Sequence, residues 1–408
     1  MHYLAIVDDG DHVSEPRDGG VAGPAVLALA ATLVGALPAF LFAGVAAFVR
    51  TDLDFRVEQI GAVFAAFFVV SSLTSVPGGR LPARIGTRAT LLLGLAISAA
   101  SLAGTALFAR SFLTVTATVG VGGIANSTIQ PAANLLLART VPVARQGLAF
   151  GVKQAAIPAA SMLGGLAVPL AAGAVGWRAA FGAAAVLAGV TALFVPTDLP
   201  RALPRATRAA TALQLDRRLV MLGVGAGLAS ASANATGSYL VQAATEAGTS
   251  PGTAGTALAL GGLVGICSRV VAAASASPDP RRRLATVSVL VAGAAGGYAA
   301  LAIAQHGPVL LLGTLLAYVA GWGWNGLFIH AVVGLYPDHP ASSTGVSQAG
   351  AFMGSVVGPP LFGVVSQATS YRVAWTATAL LSLASAAVIA RARGPAPLRS
   401  PRVGAVDR

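Results

Sequence analysis

Three cationic or titratable side chains interrupt long apolar stretches of this 408-residue chain: Lys153, its only lysine, Arg269 and His330. Asn126, Gln130, Asn134, Gln154, Asn234, Gln242, Asn325 and Gln348 punctuate the same kind of sequence. All fourteen Asp and Glu residues fall in tails, loops or the ends of apolar stretches. A buried cation without a carboxylate is expensive. A negatively charged solute would supply the missing partner, and arginine grips a carboxylate or phosphate through two parallel bonds. His330 titrates in the range that suits a proton carrier. Covalent or metal chemistry finds no foothold. The five histidines, His2, His12, His306, His330 and His339, show no ligand spacing, and Cys267 is the single cysteine. There is no P-loop. We therefore expect no enzyme activity, no cofactor and no bound metal.

The composition says what holds these groups. The chain is 55% hydrophobic and 10% charged, with a mean hydropathy of +0.76. A soluble domain carries roughly 25% charged residues to face water, so lipid is the solvent here. Twelve runs are long enough for a membrane helix of about 20 apolar residues: 24–49, 60–77, 89–108, 112–137, 147–175, 179–195, 219–242, 253–276, 284–304, 308–336, 344–367 and 373–390. Backbone groups in lipid must bond internally, so runs of this length predict helices, and a barrel would show strict alternation.

The third, sixth, ninth and twelfth runs carry no Asn, Gln, His or charged residue. The strongly polar groups belong to the fourth, fifth, seventh, eighth, tenth and eleventh. Asn126, Gln130 and Asn134 share one face of a helix by their spacing, as do Asn234, Ser238 and Gln242. Either stripe lines a path or bonds helices together. The candidate substrate-binding set is Arg269, Lys153, Asn126, Gln130, Gln154, Asn234, Tyr239, Asn325, Gln348 and Trp322. His330 is the candidate for proton coupling. Of Trp322 and Trp324, at least one is expected simply to pack.

The net charge of +12 is topological. With the N-terminus inside, nineteen arginines fall on the inner side and five (Arg50, Arg56, Arg110, Arg178 and Arg372) on the outer. The positive-inside rule then places both termini in the cytoplasm. Some attraction to anionic lipid is expected, and no nucleic-acid binding. The polar N-terminus, rich in Asp, does not read as a signal peptide. The resulting division is a tail at 1–23, six helices at 24–197, a cytoplasmic loop at 198–218, six helices at 219–391 and a tail at 392–408.

The halves repeat. At an offset of 194, Gly151-Val152-Lys153-Gln154-Ala155 lies on Gly345-Val346-Ser347-Gln348-Ala349, and nine of the thirty-one positions from 151 to 181 are identical. After the second run comes Gly79-Arg80-Leu81-Pro82-Ala83-Arg84-Ile85-Gly86-Thr87-Arg88. This segment resembles the cytoplasmic gate motif of the major facilitator superfamily, with Gly79, Arg84, Gly86 and Arg88 in place and Ala83 where that family has an acidic residue. The resemblance covers nearly the whole chain. It implies an all-α integral membrane fold of two pseudo-symmetric six-helix bundles, in a protein that usually works as a monomer and is multi-pass in the cell membrane. It also implies alternating access around a site between the halves, with the third, sixth, ninth and twelfth helices facing lipid. Arg269 resembles the eighth-helix arginine of the family's organic-anion and monocarboxylate porters. The fourth run lacks the arginine many members carry, and Ala160-Ser161 stands where the family's drug antiporters show Gly-Pro. The expectation is a secondary transporter of a small anion, coupled to a proton or a counter-anion. The alternative is an exporter of hydrophobic compounds, which would present an aromatic-rich cavity and a membrane carboxylate.

Overall fold

The computed structural model describes residues 22–172, 176–197, 199, 216–275, 277–337 and 340–394. The polar tails and most of the expected central loop lie outside them. The described residues form thirteen α-helices and no strand: α1 (Ala22–Leu53), α2 (Val57–Ile85), α3 (Thr87–Phe108), α4 (Phe112–Thr140), α5 (Val143–Gln154), α6 (Ala156–Ala172), α7 (Gly176–Leu193), α8 (Arg217–Glu246), α9 (Pro251–Ala274), α10 (Pro280–Ile303), α11 (Gly307–Leu335), α12 (Pro340–Ala368) and α13 (Tyr371–Ala392). α5 and α6 together make the fifth membrane-length span, so the spans number twelve.

Local chemistry sets the helix starts. Ser111, Asp216, Ser250, Asp279 and Ser370 each cap a helix by accepting a backbone N–H in the first turn, the role for which short polar side chains are favoured. Pro251 and Pro280 follow two of these caps, where a missing N–H costs nothing. The gate segment departs from expectation. The second apolar run ends at 77, but α2 runs on through Pro77, Gly79, Pro82 and Arg84 and stops only at Gly86, whose φ is 87°. Helix interiors in lipid tolerate proline when neighbouring helices supply packing, and α2 has α4 against it here, with Gly78 close to the Ser127 carbonyl.

Helices α1 to α7 pack chiefly among themselves, as do α8 to α13, and α1, α2 and α6 meet α8, α12 and α9 across the middle. The most deeply buried spans are α1 and α8. The expected lipid-facing helices do expose large apolar side chains, among them Val186 and Val190 of α7 and Leu380 and Leu383 of α13. α12 does so too, along Met353, Val357 and Leu361. Polar content in a span therefore does not remove it from lipid; one face suffices for each.

Small residues set the closest approaches. Gly350 and Gly354 of α12 lie on the backbone of Gly223 and Gly227 of α8, leaving no room for a Cβ. This is how helices gain contact where lipid offers no hydrophobic drive. Gly354→Val should lower the melting temperature sharply, since overpacking costs about 1–3 kcal/mol or more. An unchanged melting curve would contradict this packing.

Candidate functional site

The fifth span breaks because of a proline. Pro158 has no N–H, so the carbonyl four residues earlier, that of Gln154, loses its helical partner. α5 ends at Gln154, Ala155 turns, and α6 begins at Ala156. Arg269 of α9 fills the vacancy from the other half of the molecule: its guanidinium donates to the Gln154 carbonyl oxygen. Its Nε donates to the Trp322 carbonyl of α11 at 2.7 Å, and its guanidinium carbon stands 5.7 Å from the centroid of the Trp322 ring. Arg269 is 7% exposed. Its hydrogen bonds are satisfied, but its charge is not: no carboxylate pairs with it among the described residues.

Lys153, next to Gln154, is 2% exposed and faces the first half. Its ammonium donates to Gln130 Oε1. The Gln130 amide in turn reaches Asn126 Oδ1 at 3.5 Å, and Asn126 Nδ2 donates to Ser71 Oγ at 2.9 Å. Gln154 completes the bridge across the halves, its Nε2 donating to Asn325 Oδ1 at 3.0 Å. Lys153 and Arg269 lie within electrostatic reach of each other. Two buried like charges on opposing halves repel, and an anion placed between them converts that repulsion into attraction on both sides.

Beside this polar cluster sits an aromatic one. Trp322 stacks on Tyr318 at 5.8 Å and meets Phe40 edge-on at 5.7 Å, and Phe40 meets Phe64 at 5.4 Å. Tyr318 shares a 2.6 Å hydrogen bond with Ser161 of α6. These four rings come from three helices, and the Trp322 ring joins them to Arg269. Trp324 instead packs on Phe328 within the second half.

A family model for the Major Facilitator Superfamily matches residues 27–346. The chain belongs to the major facilitator superfamily. It is thus a multi-pass membrane transporter with the facilitator fold of two six-helix bundles, working by alternating access. Among solved structures it is similar to a bacterial homolog of the human lysosomal transporter Spinster, captured in an inward-facing and occupied conformation. The two superpose with a TM-score of 0.71 at 14% identity, over 93% of this chain and 97% of the other. No curated protein sequence matches.

In this facilitator the candidate residues divide into those gathered and those set apart. Arg269, Lys153, Asn126, Gln130, Gln154, Asn325 and Trp322 form the central cluster. Asn234 lies elsewhere, bonded to the Ser230 carbonyl at 2.9 Å and Ser355 Oγ at 3.0 Å, with its own Oδ1 unpartnered. Gln348 likewise holds an unpartnered Oε1. Asn134, on the same face as Gln130 by spacing, is exposed. His330 is half-buried near the basic loops. A Cβ added at Gly147 of α5 would touch its ring, and Arg283 donates to its carbonyl at 3.2 Å.

Tyr239 belongs to a seam at the face away from the basic loops. Its hydroxyl accepts from the Gly61 N–H at 2.8 Å and donates to the Val57 carbonyl at 3.2 Å. It is therefore inserted between the two members of a helical i, i+4 pair in the first turn of α2. Arg50 and Glu246 pair there at 3.2 Å, and Gly61 abuts Pro359 and Pro360. Toward the basic loops α5 still meets the second half, with Gly151 against Ala273 and Gly147 beside His330. Sequence reasoning missed Ser71, Pro158, Phe40, Phe64 and Tyr318. Only Pro158 left a signal, four residues after Gln154.

Proposed function

We propose that this transporter carries a small organic anion bound between Arg269 and Lys153. One observation carries the reading: a buried guanidinium and a buried ammonium from opposite halves share one region, each held by neutral oxygens alone. The anion would take over the N–H groups that Arg269 now spends on the carbonyls of Gln154 and Trp322, while Trp322 and Phe40 cover its apolar part. Surrendering the Gln154 carbonyl removes a bond between the halves, so binding and rocking are coupled through one side chain. Asn126, Gln130, Gln154 and Asn325 line the same region and would orient the polar atoms. Asn234, Gln348 and Tyr239 would act at other stages of the cycle.

The basic loops mark the cytoplasmic face under the positive-inside rule. In that orientation the seam of Tyr239, Arg50 and Glu246 is the outer gate. The division into halves at 24–197 and 219–391, with cytoplasmic segments at 1–23, 198–218 and 392–408, follows from the same rule. Tyr239→Phe deletes both bridging bonds at the outer gate and leaves the Gly61 N–H to find a new partner, a loss of about 1–3 kcal/mol. Cysteines placed on the outer halves of α2 and α12, in a Cys267→Ser background, should then label faster from outside. Unchanged labelling would remove Tyr239 from the gate.

The direct test is counterflow into proteoliposomes, with labelled carboxylates and phosphates competed by unlabelled anions and cations. Saturable exchange confined to anions supports the reading. Exchange confined to lipophilic cations overturns it. The aromatic cluster favours a second reading, export of hydrophobic compounds, which the same competition separates. For coupling, His330 sits where α5 meets α11, so its protonation would bear on that contact. His330→Gln should lose uptake driven by an imposed pH gradient and keep anion counterflow. Retained pH-driven uptake would assign the coupling to a counter-anion.

A further inference from the structure

Four arginines from three helices of the second half converge on one cavity of about 520 Å³ at the basic face. Arg217 and Arg218 come from the first turn of α8, Arg281 from the first turn of α10 and Arg391 from the last turn of α13. No carboxylate lines the cavity. The N-termini of α8 and α10 lie beside it, each capped by an aspartate, Asp216 and Asp279.

The walls are held in place. Arg218 donates through Nε to the Ala392 carbonyl at 2.8 Å and through a terminal nitrogen to the Arg393 carbonyl at 2.9 Å, tying α8 to the end of α13. The nearby carboxylate of Asp216 is already engaged: it accepts from the Leu219 N–H at 2.6 Å, and the Tyr336 hydroxyl donates to its two oxygens at 2.8 and 2.9 Å. Burial and that carboxylate push the Tyr336 hydroxyl well above its ordinary range, so it stays a donor. Asp279 accepts from the Arg281 N–H at 2.8 Å and lies 3.9 Å from Arg282.

Two further observations separate this cluster from the general excess of basic residues at the cytoplasmic face. At the 194-residue offset Arg217, Arg218 and Arg391 fall on Gly23, Pro24 and Thr197, none of them basic, while Arg281, the second residue of α10, answers to Arg88, the second residue of α3. Orientation alone gives no reason to concentrate charge at only one of two equivalent corners. The cavity also adjoins lipid-facing surface. Val220 and Val224 follow Arg217 along one side of α8, and Leu380 and Leu383 precede Arg391 at helical spacing on α13, all four exposed. Met221 sits at the junction.

We propose that this cavity binds a phosphate group, specifically the headgroup of an anionic phospholipid whose acyl chains lie along Val220, Val224, Leu380 and Leu383. Arginine suits phosphate because its planar fork donates two parallel bonds, and basic pockets at the cytoplasmic membrane surface attract acidic headgroups. The occupant would pin α8, α10 and α13 together at the basic face.

The test uses the delipidated full-length protein in mixed micelles containing phosphatidylglycerol, phosphatidylcholine or inorganic phosphate. Phosphatidylglycerol should raise the melting temperature at least about twice as much as phosphatidylcholine. The excess should vanish in Arg217→Gln/Arg391→Gln and persist in Arg145→Gln, a basic-face arginine outside the cavity. If the double variant does not fold, native mass spectrometry of Arg391→Gln reads the same site as a loss of retained phosphatidylglycerol adducts. Equal shifts from the two lipids, or an excess undiminished by the variants, would overturn the proposal. An equal shift from inorganic phosphate, lost in the variants, would overturn the lipid and leave a soluble phosphate as occupant.

Discussion

Arg269→Ala should weaken substrate binding about 30-fold or more in proteoliposome counterflow. Removing one member of a buried, hydrogen-bonded charge pair costs about 2–5 kcal/mol, and 1.4 kcal/mol is a factor of about ten. Arg269→Lys should recover little of the loss. A lysine retains charge but has no planar fork, and Arg269 spends Nε on Trp322 and a terminal nitrogen on Gln154 from one rigid plane. The apparent affinity should therefore fall for both variants. A variant with unchanged affinity and only a slower rate would make Arg269 a hinge contact and not a binding residue.

Pro158→Ala should have the largest effect on rate. Alanine restores an N–H at 158 that can pair with the Gln154 carbonyl, the oxygen Arg269 now occupies. It keeps the Cβ that packs against Gly265 of α9. The fifth span becomes continuous, the melting temperature rises, and transport slows by about tenfold or more as the link between the halves is lost. A stabilised variant that transports at the normal rate would show that the break at Ala155 takes no part in the cycle.

Hydropathy made the architecture legible because lipid leaves a chain few options. A helix must satisfy its own backbone and be long enough to cross, and twelve runs met both conditions. The cations were legible for the same reason, since an intramembrane charge is too costly to be incidental. Spacing also paired Asn126 with Gln130, and the two are hydrogen-bonded. What stayed hidden depends on helix rotation and depth. Phe40 and Phe64 are ordinary apolar residues in their runs, and only packing turns them toward Trp322. Tyr239 shares the seventh span with Asn234, yet their depths along α8 give one a gate contact and the other a bond to Ser355. The exposure of Asn134 shows that a shared helical face carries a residue into the interior only as far as the neighbouring helix extends. The end of α2 lies beyond the apolar run that ends at 77, because the helix continues through Pro77 and Gly79 and the chain turns only where Gly86 adopts a positive φ.

The most direct test of the anion site is thermal stabilisation of the purified protein across small carboxylates, inorganic anions, cations and lipophilic drugs, in wild type and Arg269→Ala. A ligand that binds only the folded state raises the melting temperature with concentration. The account expects stabilisation by one class of anion, lost in Arg269→Ala. Stabilisation by lipophilic cations alone, equal in both proteins, would contradict it and make this facilitator an exporter of hydrophobic compounds.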